Sequence, residues 1–117
     1  MEFLVRIEIG WPPGEDEERR QELIARETVR ASELAASGNL VRLWRSVGSW
    51  GNIGIWSATD ATQLQALLAS LPLFPWMRIS VEPLAIHPSD PQRGQSAAAP
   101  SGRQAPAWSP GTEGLTR

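Results

Sequence analysis

The stretch Asn39–Ser57, NLVRLWRSVGSWGNIGIWS, decides the fold. Its first half alternates, with Val41, Leu43, Arg45 and Val47 on one side and Leu40, Arg42 and Trp44 on the other, which is the period of a strand. Its second half, NIGIWS, reads as a returning strand. Between them, glycines on both sides of Ser49–Trp50 permit the tight backbone conformations of a hairpin connection. Two antiparallel neighbours therefore sit in the middle of the chain.

Working outward from that hairpin, the segment before it, EDEERRQELIARETVRASELAAS (15–37), predicts a long helix. Its acidic first turn suits the positive end of the helix dipole, and Gly38 is a natural stop. The segment after it, DATQLQALLASL, places Leu64, Leu67, Leu68 and Leu71 at helical spacing. Ser57–Asp60 offers capping-box spacing and Thr59 a competing N-cap. At the start of the chain, EFLVRIEI alternates Phe3, Val5, Ile7 and Ile9 against Glu2, Leu4, Arg6 and Glu8, and GWPPGE ends the strand. WMRISVEPLAI supplies the last strand, where Pro83 argues for a sheet edge or a bulge. The order β-α-β-β-α-β is the ferredoxin-like α+β arrangement, one antiparallel sheet with two helices on one face. The other face needs cover. Leu4, Leu40, Trp44 and Trp56 are its candidates, depending on which strand face packs on the helices, and a dimer with facing sheets is the simple solution.

Composition bounds the rest. The chain has 117 residues and a formal net charge of −2, which gives no electrostatic case for binding nucleic acid. Cysteine is absent and His87 is the single histidine, so disulfides, thiolate metal sites and a His-based metal cluster are excluded within one chain. MEFLVRIEIG alternates too strictly for a signal peptide, and no segment is long enough to span a bilayer, so a cytoplasmic protein without membrane partners is expected. After His87 the chain turns to Pro, Gly, Ser, Ala and Gln. The expected organisation is a folded domain over 1–89 and a flexible tail over 90–117, with Trp108 the one large apolar group of the tail.

Within the helix over 15–37, Leu23, Ile24, Ala31, Leu34 and Ala35 share one face, and Glu27 falls on it. A carboxylate there is desolvated and its pKa rises, which suits a general base or acid near neutral pH; the alternative is an ion pair with Arg42 or Arg45. Arg45 shares a strand face with Val41, Leu43 and Val47. It either meets Glu27 or a ligand anion in the interior or lies on the solvent rim with its stem along the sheet. Trp44, Trp50, Trp56 and Trp76 are candidates for lining a planar ligand site, with indole N–H groups as donors, against a reading as core or interface packing. Ser49 and Asn52 are hydrogen-bond donors in or beside the hairpin that otherwise serve the turn. An apolar pocket with one carboxylate, one or two cations and no metal suits proton transfer at a carbon next to a carbonyl in a small anionic substrate.

These residues carry a resemblance. The chain resembles the muconolactone Δ-isomerase family over about residues 1–89. The match rests on MEFLVRIEI at the start, Glu27 in the first helix, LWR at Leu43–Arg45, Gly48 and Asn52, LPLFP at Leu71–Pro75 followed by an aromatic and Met77, and HPS at His87–Ser89. The resemblance implies a ferredoxin-like fold in dimers that assemble further, typically into decamers. It implies an isomerase that needs no cofactor and moves the ring double bond of a small anionic lactone. Mapped onto this chain, Glu27 is the base candidate and Arg45 the candidate for anion binding. Asn52 and Trp44 are candidate donors, and Phe74 and Trp76 candidate pocket walls. Ser49–Trp50 stands where compared members often have His-Tyr, and Ile53 where they have Tyr. These departures bear on the substrate. They leave open an isomerase, cyclase or dehalogenase acting on a different lactone or enone, and a non-catalytic ligand-binding module on the same fold.

Overall fold

A computed structural model describes residues 1–11, 14 and 16–92. The elements are β1 (Glu2–Ile9), α1 (Glu17–Ala36), β2 (Leu40–Arg45), β3 (Asn52–Ser57), α2 (Ala61–Ala69) and β4 (Met77–Leu84), with one 3-10 turn at Phe74–Trp76. The sheet order is β2-β3-β1-β4, and every neighbouring pair is antiparallel. This is the ferredoxin-like α+β arrangement expected from the order of elements. Pro12, Pro13 and Glu15 of the GWPPGE turn lie outside the described residues, as does the expected tail from residue 93 onward, including Trp108. Met1–Leu84 forms one compact unit.

The alternation of β1 decides which side is core. Phe3, Val5 and Ile7 are buried, and cross-strand register places Trp56, Gly54 and Asn52 beside them on the same face. Leu34 from α1, Leu64 and Leu68 from α2, and Leu71 just after α2 close over that face. Each such side chain contributes about 1.5–3 kcal/mol by leaving water. The opposite face carries Leu4, Arg6, Ile53, Ile55 and Trp44 in register across three strands.

Of the four candidates for that opposite face, Leu4 and Trp44 lie on it. Leu40 and Trp56 lie on the helix side instead: Trp56 is only 2% exposed, and Leu40 packs against the same core. The cause for Leu40 is local. The β2–β3 register shifts between Leu40 and Arg42, so Leu40 pairs with Trp56 while Arg42 pairs with Ile55. A bulge of this kind breaks the simple alternation at one end of a strand.

The helix ends follow side-chain chemistry. Asp16 caps α1, its carboxylate accepting from the Glu18 N–H at 3.0 Å, with Glu17 and Glu18 in the first turn. Gly38, at φ +87°, turns the chain out of the helix as expected. For α2 the cap is Asp60, neither Ser57 nor Thr59. Its carboxylate accepts from the Gln63 N–H at 2.8 Å, while the Gln63 side chain accepts from the Thr59 N–H at 2.6 Å. β4 pairs with β1 alone, so Pro83 does sit on an edge strand, where the missing N–H costs no ladder bond on the open side.

Candidate active site

Glu27 projects from the middle of α1, on the face that also buries Leu23 and Leu34. It is half-buried. One carboxylate oxygen accepts a 3.0 Å hydrogen bond from the backbone N–H of Leu73, in the segment linking α2 to β4. Burial raises its pKa above the ordinary glutamate value of 4.5, and the Leu73 N–H, which favours the charged form, opposes only part of that rise. The ion pairs among the described residues are Arg20–Glu17 and Arg30–Glu33, both along α1; none involves Glu27.

Arg45 ends β2 opposite Asn52 on the helix-facing side, the face shared with Leu43. Its guanidinium turns to its own hairpin, donating through Nη1 to the carbonyl oxygens of Trp50 and, at 3.3 Å, Gly51. It lies 5.8 Å from the centre of the Trp50 ring. The hairpin satisfies itself in other ways too. The Ser46 N–H donates to the Gly51 carbonyl at 3.1 Å, and the Ser49 hydroxyl oxygen accepts from the Gly51 N–H at 3.0 Å. Gly48 holds φ +85°, which a side chain would strain. Gly51 is fixed by crowding: a Cβ there would stand 2.3 Å from the Ile7 carbonyl oxygen. Trp50 is 71% exposed at the tip.

The other candidates fall in four places. Trp44 is on the open sheet face, with the Arg42 guanidinium 4.7 Å above its ring. Phe74 is half-buried against the core. Trp76 stacks on Trp11 at 4.7 Å with the rings 34° apart, beside an open groove of about 580 Å³ lined by Ile9, Gly10, Pro75 and Met77. Asn52 is half-buried at the start of β3, and its side-chain oxygen is buried without a hydrogen-bond partner. The sequence puts Glu27 with the apolar face of its helix and puts Arg45 and Trp44 on opposite faces of β2, as the register has them; it leaves Arg45 open between the interior and the rim, and Arg45 is exposed.

One group escaped the sequence reading: the Leu73 N–H is a backbone donor and has no side-chain signature. Trp56, one of the tryptophans read from the sequence as pocket lining with an indole donor, is buried on the inner face with its indole N–H unpartnered.

The fold and this site describe a small ferredoxin-like α+β protein with a desolvated carboxylate on its first helix. A family model for muconolactone delta-isomerase matches residues 1–90. The chain is 41% identical over 88 residues to the muconolactone Delta-isomerase of Rhodococcus opacus, covering 75% of this chain and 95% of that one. It is 38% identical over 89 residues to the enzyme of the same name from Cupriavidus pinatubonensis, covering 76% and 97%. The crystal structure of a muconolactone isomerase superposes with a TM-score of 0.74 at 33% identity, covering 78% of this chain and 95% of that one. The chain belongs to the muconolactone Δ-isomerase family, and it is an isomerase.

Proposed function

We propose that this isomerase acts in aromatic degradation, converting muconolactone to the enol-lactone of 3-oxoadipate without a cofactor, with Glu27 carrying the proton. The observation that supports this most is the state of Glu27: one backbone donor, no cationic partner among the described residues, and a pKa raised by burial. A carboxylate so placed is a stronger base than one in water. It removes the ring proton γ to the lactone carbonyl. The electron pair flows through the ring double bond to the carbonyl oxygen, giving a dienolate. The same carboxyl then returns the proton at the α carbon, so the double bond moves one position and no atom is lost.

Arg45 holds the acetate group of the substrate in this reading. Its two hairpin bonds both use Nη1, which leaves its other N–H groups for a carboxylate. Asn52 supplies a polar contact, Phe74 and Trp76 shape the pocket, and Ser49–Trp50 form its rim. Trp44 contributes from the open sheet face where two copies meet. Self-association through that face, in dimers that build larger rings, covers Leu4, Ile53 and Ile55 as well. The catalytic domain is residues 1–89 and the location is the cytoplasm; no helix among the described residues is long and apolar enough to cross a membrane.

The test is a spectrophotometric assay of muconolactone with wild type and Glu27→Gln. The reading requires turnover by wild type and its loss in the variant. No turnover and no solvent deuterium entering the lactone would remove this substrate. A second reading, a related isomerase or dehalogenase for a different lactone, is favoured by one observation. Ser49 is committed to the turn and Trp50 is exposed, so neither adds a polar group to the inner face. Faster turnover of a chlorinated lactone than of muconolactone would select it.

A further inference from the structure

Three buried side-chain polar atoms among the described residues have no hydrogen-bond partner: Trp11 Nε1, Asn52 Oδ1 and Trp56 Nε1. The last two stand on the same face of β3, two positions either side of Gly54. An unpaired buried N–H or C=O carries a desolvation cost that native proteins rarely leave uncompensated. The Trp56 ring does not stay over its own residue. Its Nε1 lies against Gly54, 3.2 Å from where a Cβ would be, with the Arg42 carbonyl oxygen and Leu43 Cδ1 closing the same spot at 3.0 and 3.1 Å. Gly54 is what lets the indole fold down along the strand. The donor is thereby moved from the Trp56 end of β3 to its middle.

α1 ends beside the end of β3, since Asn39 bonds Ser57 through backbone and side chain at 2.7 and 2.9 Å, and Leu34 packs in one cluster with Trp56. From Leu34, Glu27 lies about 10 Å back along the helix. From Trp56, Gly54 lies about 7 Å and Asn52 about 13 Å back along the strand. Counted along the two axes from that shared end, Glu27 is level with the interval between Gly54 and Asn52.

We propose that the Trp56 indole N–H, placed by Gly54, donates to the carbonyl oxygen of the lactone and stabilises it as it becomes the dienolate oxygen. The proposal rests on the proton-transfer reading of Glu27. Proton removal at the γ carbon pushes charge onto an oxygen on the far side of the ring, and a fixed donor there lowers the barrier because it needs no reorganisation. Asn52, at the other end of the interval, meets the remaining polar edge of the ligand. The indole is 98% withdrawn from solvent, with 2% of Trp56 exposed, so the bond forms where water competes least.

The experiment has a binding arm and a kinetic arm. The binding arm titrates wild type with the saturated lactone that carries the acetate group but lacks the ring double bond, and follows the indole N–H resonance in contact with the Gly54 α-protons. A downfield shift that saturates with the lactone supports the proposal; a resonance that does not move overturns it, whatever the protein turns over. The kinetic arm compares wild type with Trp56→Phe, which keeps the aromatic ring and removes the donor. The expected result is a fall in kcat of about 10²-fold with a KM changed little, as for loss of one oxyanion donor. A kcat within twofold of wild type in a variant that keeps its fold overturns the proposal. If the indole shifts on binding but wild type does not turn over muconolactone, the donor stands and the substrate assignment falls.

Discussion

The junction of α1 with Leu73 and the hairpin between β2 and β3 treat polar groups in opposite ways. In the hairpin, Ser46, Ser49 and Arg45 all bond to groups of the same turn. At the junction, Glu27 has one backbone donor, and the facing strand holds an indole N–H and a carboxamide oxygen with none. The turn's own bonds hold its shape, and of the Arg45 guanidinium they engage only Nη1. The buried face leaves a donor and an acceptor unmatched, as the proposed ligand site requires. Both regions held candidates from the sequence, Glu27 on the apolar face of its helix and Arg45, Ser49 and Trp50 at the hairpin. Their difference is in hydrogen-bond accounting rather than in composition.

The substitution that breaks the contrast most strongly is Glu27→Gln. It should lower kcat by about 10²–10⁴-fold, the range of a lost general acid–base group, in a steady-state assay on muconolactone. It should also raise the melting temperature at pH 7. The folded-state pKa of Glu27 is raised, so the native protein holds its proton at pH values where the unfolded chain has released it. The stability linked to that proton is fully present below pH 4.5, the unfolded value, and is lost as pH rises through the folded pKa. Glutamine keeps an acceptor for the Leu73 N–H and carries no charge, so the gain seen at pH 7 should disappear in melts below pH 4.5. For the same reason the acid limb of kcat/KM in wild type should have its midpoint above 4.5.

Gly51→Ala attacks the hairpin where backbone meets backbone, and the Ile7 carbonyl has no side chain to move aside. A loss of about 1–3 kcal/mol is expected from overpacking, measured by urea denaturation. Asp60→Ala removes the α2 cap and should cost about 1 kcal/mol by the same method, with turnover per folded molecule unchanged. Ser49→Ala should have the smallest effect. It removes one turn acceptor worth about 0.5–1.5 kcal/mol and should leave kcat and KM within twofold. A large loss of kcat on Ser49→Ala would erase the distinction between the two regions.

The strand and helix order was legible because β1 alternates strictly and the hairpin is bracketed by glycines. Glu27 was legible as a desolvated carboxylate because helical period alone puts it with Leu23 and Leu34. Its partner was not legible: Leu73 lies 46 residues away and offers only backbone. For Arg45 alternation left an interior site shared with Glu27 and the solvent rim both open, and the turn of the guanidinium toward the Trp50 and Gly51 carbonyls depends on hairpin geometry that alternation does not encode. Leu40 escaped for a related reason, because one shift of register at the start of β2 changes which face a residue occupies. Trp56 was visible as an aromatic, yet the reach of its N–H to Gly54 depends on a ring orientation that residue spacing does not set.

On the proposed mechanism, the bond from Leu73 to Glu27 ties an amide to a charge that changes during every catalytic cycle. While the carboxylate is ionised, the Leu73 N–H is held in a charge-assisted bond; once the proton is taken up, the bond becomes an ordinary neutral one and weakens. The Leu73 amide is thus a built-in reporter. Its hydrogen-exchange protection should follow the occupancy of the proton on Glu27, so one slow-exchanging backbone site can read the state of the base without a substrate present.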